Sequence, residues 1–231
     1  MAVEHGKQKQ IFMTWTVNQG LSIGYKERLV ATVTEEIVFE AGQVTLLLGL
    51  NGQGKTTLMK TLAGLLPPLA GNLAKTRVLY LSDDVDFPGN LTPYEIVRCL
   101  DPGGELGTFG KEMLSGLAVD DKRYGLLSKG NRQKARVTFA EIIARARKVN
   151  FLGLDEPFAG LDFEARDYLV NRWLENVNRE RHLLVSMHPS EIPVVPSQVL
   201  LISGGKIWTV PPATPWPQIK VLLQKPELIS V

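Results

Sequence analysis

The chain has 231 residues, of which 44% are hydrophobic and 22% charged, and its formal net charge at pH 7 is +2. This length and apolar content are sufficient for one large or two small domains with a hydrophobic core. The near balance of charge argues against nucleic acid as the main partner, because nucleic-acid-binding proteins present a concentrated basic surface.

The sequence predicts a soluble, cytoplasmic chain. Its polar start, MAVEHGKQKQ, lacks the pattern of a signal or transit peptide, and no stretch approaches the roughly 18 apolar residues of a membrane span. The only cysteine, Cys99, cannot form an internal disulfide, which fits a reducing compartment. We expect Cys99 to be a small buried hydrophobe.

The first predicted elements form an antiparallel accessory sheet. Apolar and polar residues alternate over Ile11–Val17, and a second strand is expected at Glu36–Phe39, before a turn. Between them, Tyr25 follows Gly24 and precedes a charged run, which is typical of a hairpin. By itself, such a tyrosine is most simply interpreted as a packing residue.

The segment Val44–Leu62 is the most informative part of the chain. Its apolar start predicts a strand buried on both faces, and the spacing G-x-x-x-x-G-K-T from Gly49 predicts a phosphate-binding loop that leads into a helix. Lys55 would reach the β- and γ-phosphates, and the Thr56 hydroxyl would ligate Mg²⁺. An ordinary glycine-rich turn is the minor alternative, because the expected strand and helix flank the loop. The candidate ATP-binding residues here are Gly49, Leu50, Asn51, Gly52, Gln53, Gly54, Lys55, Thr56 and Thr57.

A small helical insertion is predicted from Asp84 to Leu127. It follows an apolar strand, Arg77–Ser82, that ends in acidic residues. Thr92 is a suitable N-cap, with proline and glutamate at the following helical positions, and a second short helix is plausible around Lys111–Leu117.

A long helix is predicted to begin near Ser128 and to end in a basic cluster that complements the negative end of its dipole. An apolar strand then ends in Asp155 and Glu156. Asp155 is placed to accept hydrogen bonds from ligands of Mg²⁺, and Glu156 is placed to activate water. A further strand, Leu183–Ser186, is followed by His188.

The carboxyl-terminal part is predicted to contain two strands joined by a glycine turn, at Val199–Ile202 and Ile207–Val210. The remainder, 211–231, is expected to be an extended proline-rich tail with one or two helical turns.

In this order of elements, residues 21–210 resemble the ATP-binding cassette (ABC) ATPases. The resemblance is carried by Tyr25, GLNGQGKT, Ser82-Asp83, LSKGN, FLGLDEP, Ala159-Gly160-Leu161-Asp162 and His188. It implies an α/β fold: a P-loop NTPase (RecA-like) core with a mostly parallel sheet, an N-terminal antiparallel β-subdomain and a small inserted α-helical subdomain. The implied organisation is one domain over 1–231, with the core at 1–83 and 128–210, the helical subdomain at about 84–127 and a tail at 211–231.

The resemblance also implies a composite nucleotide site. Tyr25 would stack on adenine, while Ser128, Gly130 and Asn131 would contact the γ-phosphate of ATP bound by the other subunit. Two ATP molecules would then join two cassettes head to tail, as a homodimer or as a heterodimer with a related chain.

For catalysis, the resemblance implies that Glu156 polarises the attacking water and that His188 contacts the γ-phosphate. Asp162 would signal across the dimer. The family usually has glutamine where this chain has Asp83, which we expect to ligate Mg²⁺ through oxygen while adding negative charge beside the phosphates. Lys129 and Asn131 stand where glycine and glutamine are commoner, and together these variations resemble ABC-2-type exporters.

The leading functional hypothesis is a transport ATPase, peripheral on the cytoplasmic face of the membrane, that drives a separate transmembrane permease. Residues 83–94 would contribute to the docking groove, with a plain surface loop as the alternative interpretation. Two other hypotheses are a soluble non-transport ABC ATPase and a hydrolysis-impaired ATP-binding partner. The sequence does not identify the cargo, because specificity would lie in the membrane partner.

Overall fold

The computed structural model describes residues 14–82, 84–176, 181–188 and 196–225. Within these ranges the strands are β1 (Thr14–Val17), β2 (Ser22–Tyr25), β3 (Arg28–Val33), β4 (Ile37–Glu40), β5 (Val44–Leu48), β6 (Val78–Leu81), β7 (Phe151–Leu154), β8 (His182–Met187), β9 (Gln198–Ser203) and β10 (Lys206–Val210). The helices are α1 (Lys55–Leu62), α2 (Pro93–Leu100), α3 (Gly107–Gly116), α4 (Lys129–Ala146), α5 (Phe163–Asn176) and α6 (Trp216–Gln224), with a 3₁₀ turn at Tyr124–Leu126.

Eight strands form one mixed sheet in the order β2-β3-β10-β9-β5-β8-β7-β6. The run from β9 to β6 is parallel throughout, while β9–β10 and β2–β3 are antiparallel. Because parallel strands end at the same edge of a sheet, the loops after β5, β6, β7 and β8 are brought together there, which is where open α/β sheets bind ligands.

The central strands are covered on both faces, as their continuous apolar sequences predict. Every residue of β5, β7 and β8 is buried. Along β5, Leu46 and Leu48 join the hydrophobic cluster on one face and Leu47 joins the cluster on the other. The strand that precedes the phosphate-binding loop is therefore held rigidly from both sides.

The accessory sheet is present at the N-terminal side. Strands β1 and β4 pair antiparallel, with Trp15 opposite Phe39. The predicted strand segment Ile11–Met13 lies outside the described residues.

The insertion before α4 is helical, as predicted. Thr92 caps α2 with a complete capping box: its hydroxyl accepts from the Glu95 backbone N–H, and the Glu95 carboxylate accepts from the Thr92 backbone N–H. Helices α2 and α3 pack against α4, and a Cβ at Gly110 of α3 would lie 2.7 Å from Val97 Cγ1 and 2.8 Å from Ile142 Cδ1. The glycine thus allows close approach of three helices.

The sequence analysis does not predict helix α5, although Asp162 accepts from the Ala165 backbone N–H as its cap. The helical turns predicted for the tail are present as α6, which packs against β9, and the Ser203 hydroxyl donates to the Leu223 carbonyl at 2.7 Å. Cys99 is exposed rather than buried.

Candidate functional site

The loop between β5 and α1 has the backbone geometry of an anion cradle. Gly52 and Gly54 adopt φ of +79° and +108°, which glycine reaches without strain. A Cβ at Gly49 would lie 2.5 Å from Ile202 Cγ2, and one at Gly54 would lie 2.4 Å from Val30 Cγ1. Gly54 is the N-cap of α1 and supplies no side-chain hydrogen bond, so N–H groups of the first helical turn can bind phosphate.

Other predicted loop residues close the cradle. The Gln53 side-chain oxygen accepts from the Gly204 backbone N–H at 3.2 Å, which joins the loop to the β9–β10 turn. Lys55 is 6% exposed, and its Nζ donates to the Gly49 carbonyl at 2.9 Å. This bond holds the ammonium over the loop, in reach of a bound phosphate chain.

Asp155, at the end of β7, accepts hydrogen bonds from three hydroxyl groups. Thr56 and Tyr80 donate to Oδ2 at 2.7 and 2.9 Å, and Ser186 donates to Oδ1 at 2.5 Å. Asp155 is 7% exposed, so these donors stabilise a carboxylate that has little contact with water.

The same oxygens fit a magnesium ion that arrives with a nucleotide. Hydroxyl, carboxylate and phosphate oxygens are the ligands that Mg²⁺ prefers. Among the described residues no group of three His, Cys, Asp or Glu side chains could hold a metal ion. Thr56 and Asp155 would hold the ion, which would neutralise charge on the phosphates. Asp83, the other predicted ligand, lies outside the described residues.

Glu156 follows Asp155 in a backbone conformation that is unusual for glutamate. Its φ is +45°, in the left-handed region, and its backbone N–H donates to Ser186 Oγ at 2.9 Å. The side chain is 45% exposed, with Oε1 3.8 Å from Lys55 Nζ. The carboxylate is therefore hydrated and close to the phosphate-binding ammonium, which suits a group that orients water.

His188 lies just past β8, as predicted, and is exposed. Together with Glu156, Phe158 and Arg166 it lines a small cavity of about 80 Å³. The two predicted catalytic side chains therefore share one cavity.

The N-terminus of α4 forms an exposed tip. Ser128 is the N-cap, and its Oγ accepts from the Asn131 backbone N–H at 3.2 Å. A Cβ at Gly130 would lie 2.9 Å from the Gly160 carbonyl oxygen, so the tip packs closely on the loop before α5. In the described part of the chain, no hydrogen bond joins Ser128, Gly130 or Asn131 to the loop at Gly49–Thr56.

Asp162 is held by the same helix. Its Oδ2 lies 2.7 Å from Lys134 Nζ, and its Oδ1 accepts from the Ala165 N–H at 2.8 Å. The hydrogen bond from Lys134, followed by that from Ala165, lowers the pKa of the Asp162 carboxyl below its usual range. Asp162 therefore caps α5 and connects it to α4.

Tyr25 ends β2 beside a tight two-residue turn. Lys26 and Glu27 have φ of +46° and +67°, and Tyr25 pairs with Arg28 across the turn. The Tyr25 side chain is 57% exposed, which leaves its ring available for stacking.

Sequence reasoning missed several residues of the site. Tyr80 and Ser186 are polar residues inside otherwise apolar strands near their carboxyl ends, and that position was the available signal. No sequence signal identified Arg136, whose guanidinium donates to the Ser82 carbonyl.

A parallel-stranded core, a phosphate-binding loop between strand and helix, and an acidic pair after a neighbouring strand define a P-loop nucleoside triphosphatase. The family model described as ABC transporter matches residues 36–159, and the chain belongs to this family. It is an ABC-type ATPase, the ATP-binding subunit of an ABC transporter.

Relatives and solved structures agree with this assignment. The chain is 32% identical over 216 residues to the aliphatic sulfonates import ATP-binding protein SsuB of Escherichia coli O6:H1, covering 84% of this chain and 82% of that protein. It is 29% identical over 201 residues to the manganese transport system ATP-binding protein MntB of Listeria innocua, covering 74% of this chain and 78% of that protein. A solved structure described as an inward-facing conformation of a putative metal-chelate type ABC transporter matches the fold with a TM-score of 0.72 at 17% identity. The match covers 91% of this chain and 88% of that chain. No helix in the described ranges is both long and apolar enough to cross a membrane.

Proposed function

We propose that this chain hydrolyses ATP with Mg²⁺ and uses the cycle to drive a separate transmembrane permease from the cytoplasmic face. The observation that carries the proposal is the position of Asp155 and the groups around it. Its carboxylate is bonded to Thr56 of the phosphate-binding loop, and Glu156 stands next to it, opposite Lys55. This brings phosphate binding, metal binding and water activation to one edge of the sheet.

The proposed chemistry uses side chains of known position. Lys55 and the α1 N-terminus bind the phosphates, Glu156 orients water toward the γ-phosphorus, and His188 contacts the γ-phosphate. Tyr25 stacks on adenine. The hydrolysis-impaired alternative is disfavoured because Lys55, Asp155 and Glu156 lie together in the arrangement that hydrolysis requires.

The proposed working form is a head-to-tail pair. The Ser128 tip is exposed and makes no hydrogen bond to its own phosphate loop among the described residues, which favours a role toward the triphosphate of a second cassette. Closure of the pair on ATP and opening after hydrolysis would move the permease, with the segment 83–94 in the docking groove. The chain is proposed to divide into a core at 1–83 and 128–210, a helical subdomain at about 84–127 and a tail at 211–231.

The direction of transport stays a prediction. Export was predicted from Asp83, Lys129 and Asn131. The names of SsuB and MntB describe an import system and a manganese transport system, and so give export no support.

The test is Mg²⁺-dependent ATP hydrolysis by the purified chain and by Glu156→Gln. We expect kcat to fall at least about 100-fold in the variant, with ATP binding retained, because a positioned general base contributes about 10²–10⁴-fold. Glu164→Gln, an exposed change in the first turn of α5, is the matched control and should match wild type. An inactive wild-type chain, or a fully active Glu156→Gln, would refute the hydrolytic role.

Two further measurements test assembly. Glu156→Gln should elute as a dimer at saturating ATP and Mg²⁺, and a strictly monomeric variant would count against the closed pair. Solubilised membranes from a tagged strain should yield a polytopic membrane protein with the chain. Its replacement by ribosomal components would favour the non-transport alternative.

A further inference from the structure

Glu156 lies on a backbone that needs support from outside its own loop. A non-glycine residue in the left-handed region is strained and persists only where neighbouring structure holds it. On one side, Ser186 of β8 accepts from the Glu156 N–H at 2.9 Å. On the other side, Gln133 of α4 donates through Nε2 to the Pro157 carbonyl at 3.2 Å. The second contact ties the residue after Glu156 to α4.

Arg136 orients that glutamine. It lies one turn further along α4, and its Nη1 donates to Gln133 Oε1 at 3.3 Å. Because this bond occupies the amide oxygen, the Gln133 amide nitrogen is directed at Pro157. Arg136 therefore acts on the Glu156 loop through one intermediate side chain.

The other arm of the guanidinium reaches the end of β6. Nη2 donates to the Ser82 carbonyl, in the residue that directly follows the strand. The planar guanidinium of Arg136 thus connects the ends of two neighbouring strands, β6 and β7. It bonds the residue after β6 directly, and it reaches the loop after β7 through Gln133. A lysine has no such fork and cannot hold both acceptors in fixed directions.

The Nε of Arg136 is buried and has no hydrogen-bond partner among the described residues, but the same is true of Arg132 and Arg172. What distinguishes Arg136 is therefore the pair of acceptors that its other two nitrogens reach, Gln133 and Ser82. Arg136 also borders a cleft of about 400 Å³ that Glu156 and Lys129 line from other sides.

We propose that Arg136 is a positioning residue for ATP hydrolysis, which holds the Glu156 loop and the end of β6 in register with α4 through Gln133 and Ser82. This rests on the hydrolytic function proposed above. Since α4 begins at the Ser128 tip, the same contacts connect the tip to the carboxylate that orients water. Arg136 donates to Gln133 and to the Ser82 carbonyl and not to the phosphate-binding loop, so its removal should lower the rate of hydrolysis and leave ATP binding unchanged.

The experiment compares kcat and KM for ATP in wild type, Arg136→Met, Gln133→Leu and the double variant. Loss of one charge-assisted hydrogen bond corresponds to roughly tenfold in rate. We expect each single variant to lower kcat about tenfold with KM for ATP within about twofold. The double variant should be no slower than the slower single variant, because both changes break the same path.

Arg172→Met is the matched control. Arg172 is a partly buried arginine of α5 that contacts Glu112 at 3.4 Å and the ring of Phe109, away from the site. It should keep wild-type kcat, while Arg136→Lys should recover part of the rate. If Arg136→Met does not fold, Gln133→Leu against Arg172→Met carries the same comparison.

Three outcomes would overturn the proposal: Arg136→Met with kcat within twofold of wild type, a double variant whose loss is the product of the two single losses, or an equal loss in Arg172→Met. Failure of the proposed function is distinguishable, because it would appear as an inactive wild-type chain before any variant is compared.

Discussion

Protonation of a buried histidine should make this protein acid-sensitive. His182, in the first position of β8, is 2% exposed, stacks on Phe151 at 5.3 Å and packs against Phe39. Its Nδ1 lies 2.8 Å from the Glu40 carbonyl, which can only accept, so Nδ1 carries the proton, while Nε2 lies 2.9 Å from Thr45 Oγ1. Burial lowers the pKa of His182 from 6.5 to about 4.

The sign and size follow from linkage. Because the folded-state pKa of His182 is depressed, the unfolded chain takes up a proton first as the pH falls below 6.5, and stability declines until about pH 4. The full shift corresponds to about 3 kcal/mol, of which about 2 kcal/mol is lost between pH 7 and pH 5.

The assay is urea-induced unfolding at several pH values from 7.5 to 5. His182→Gln keeps a donor and an acceptor but does not titrate, so its free energy of unfolding should depend less on pH by about 2 kcal/mol over this range. Wild type measured in parallel is the reference. If the free energy of unfolding depended on pH equally in wild type and His182→Gln, His182 would not be the source of the acid sensitivity.

Two other substitutions probe the core and the site. Glu141 is 2% exposed and pairs with Arg145 at 2.5 Å and Arg181 at 2.6 Å, so Glu141→Leu should lower the free energy of unfolding by about 3–5 kcal/mol in urea titration, and a loss below about 1 kcal/mol would contradict the pairing. Ser186→Ala removes the hydroxyl that donates to the Asp155 carboxylate and accepts from the Glu156 backbone N–H. Steady-state assays should therefore give a roughly tenfold lower kcat, and an unchanged kcat would show that Ser186 does not support the site.

Local signals predicted the parts of the molecule that depend on local sequence. The strand–loop–helix unit from Val44 was predicted because glycine spacing, an apolar run and helix formation coincide within 20 residues. The caps at Thr92 and Ser128 were predicted for the same reason, since a capping side chain bonds a backbone group only three residues away.

The parts that were missed depend on contacts between distant segments. Tyr80 reaches Asp155 only because β6 and β7 are neighbours, and the pairing order of strands is not visible in either segment alone. The helical turns of the tail were predicted, but their packing against β9 through Ile219 and Leu223 was not, because a short apolar spacing does not show which strand it contacts. Arg136 lay in a basic helix where charged side chains are usually solvated, so its role came from tertiary structure.

We propose that each ATP is bound between the phosphate loop of one chain and the Ser128 tip of another. The most direct test mixes two inactive variants, Lys55→Ala and Ser128→Arg, and measures ATP hydrolysis. If the sites form in trans, a mixed pair contains one intact site, made of the Lys55 loop of one chain and the Ser128 tip of the other, and activity should return on mixing. Two variants that are inactive alone and remain inactive together, while mixed pairs form, would contradict the account.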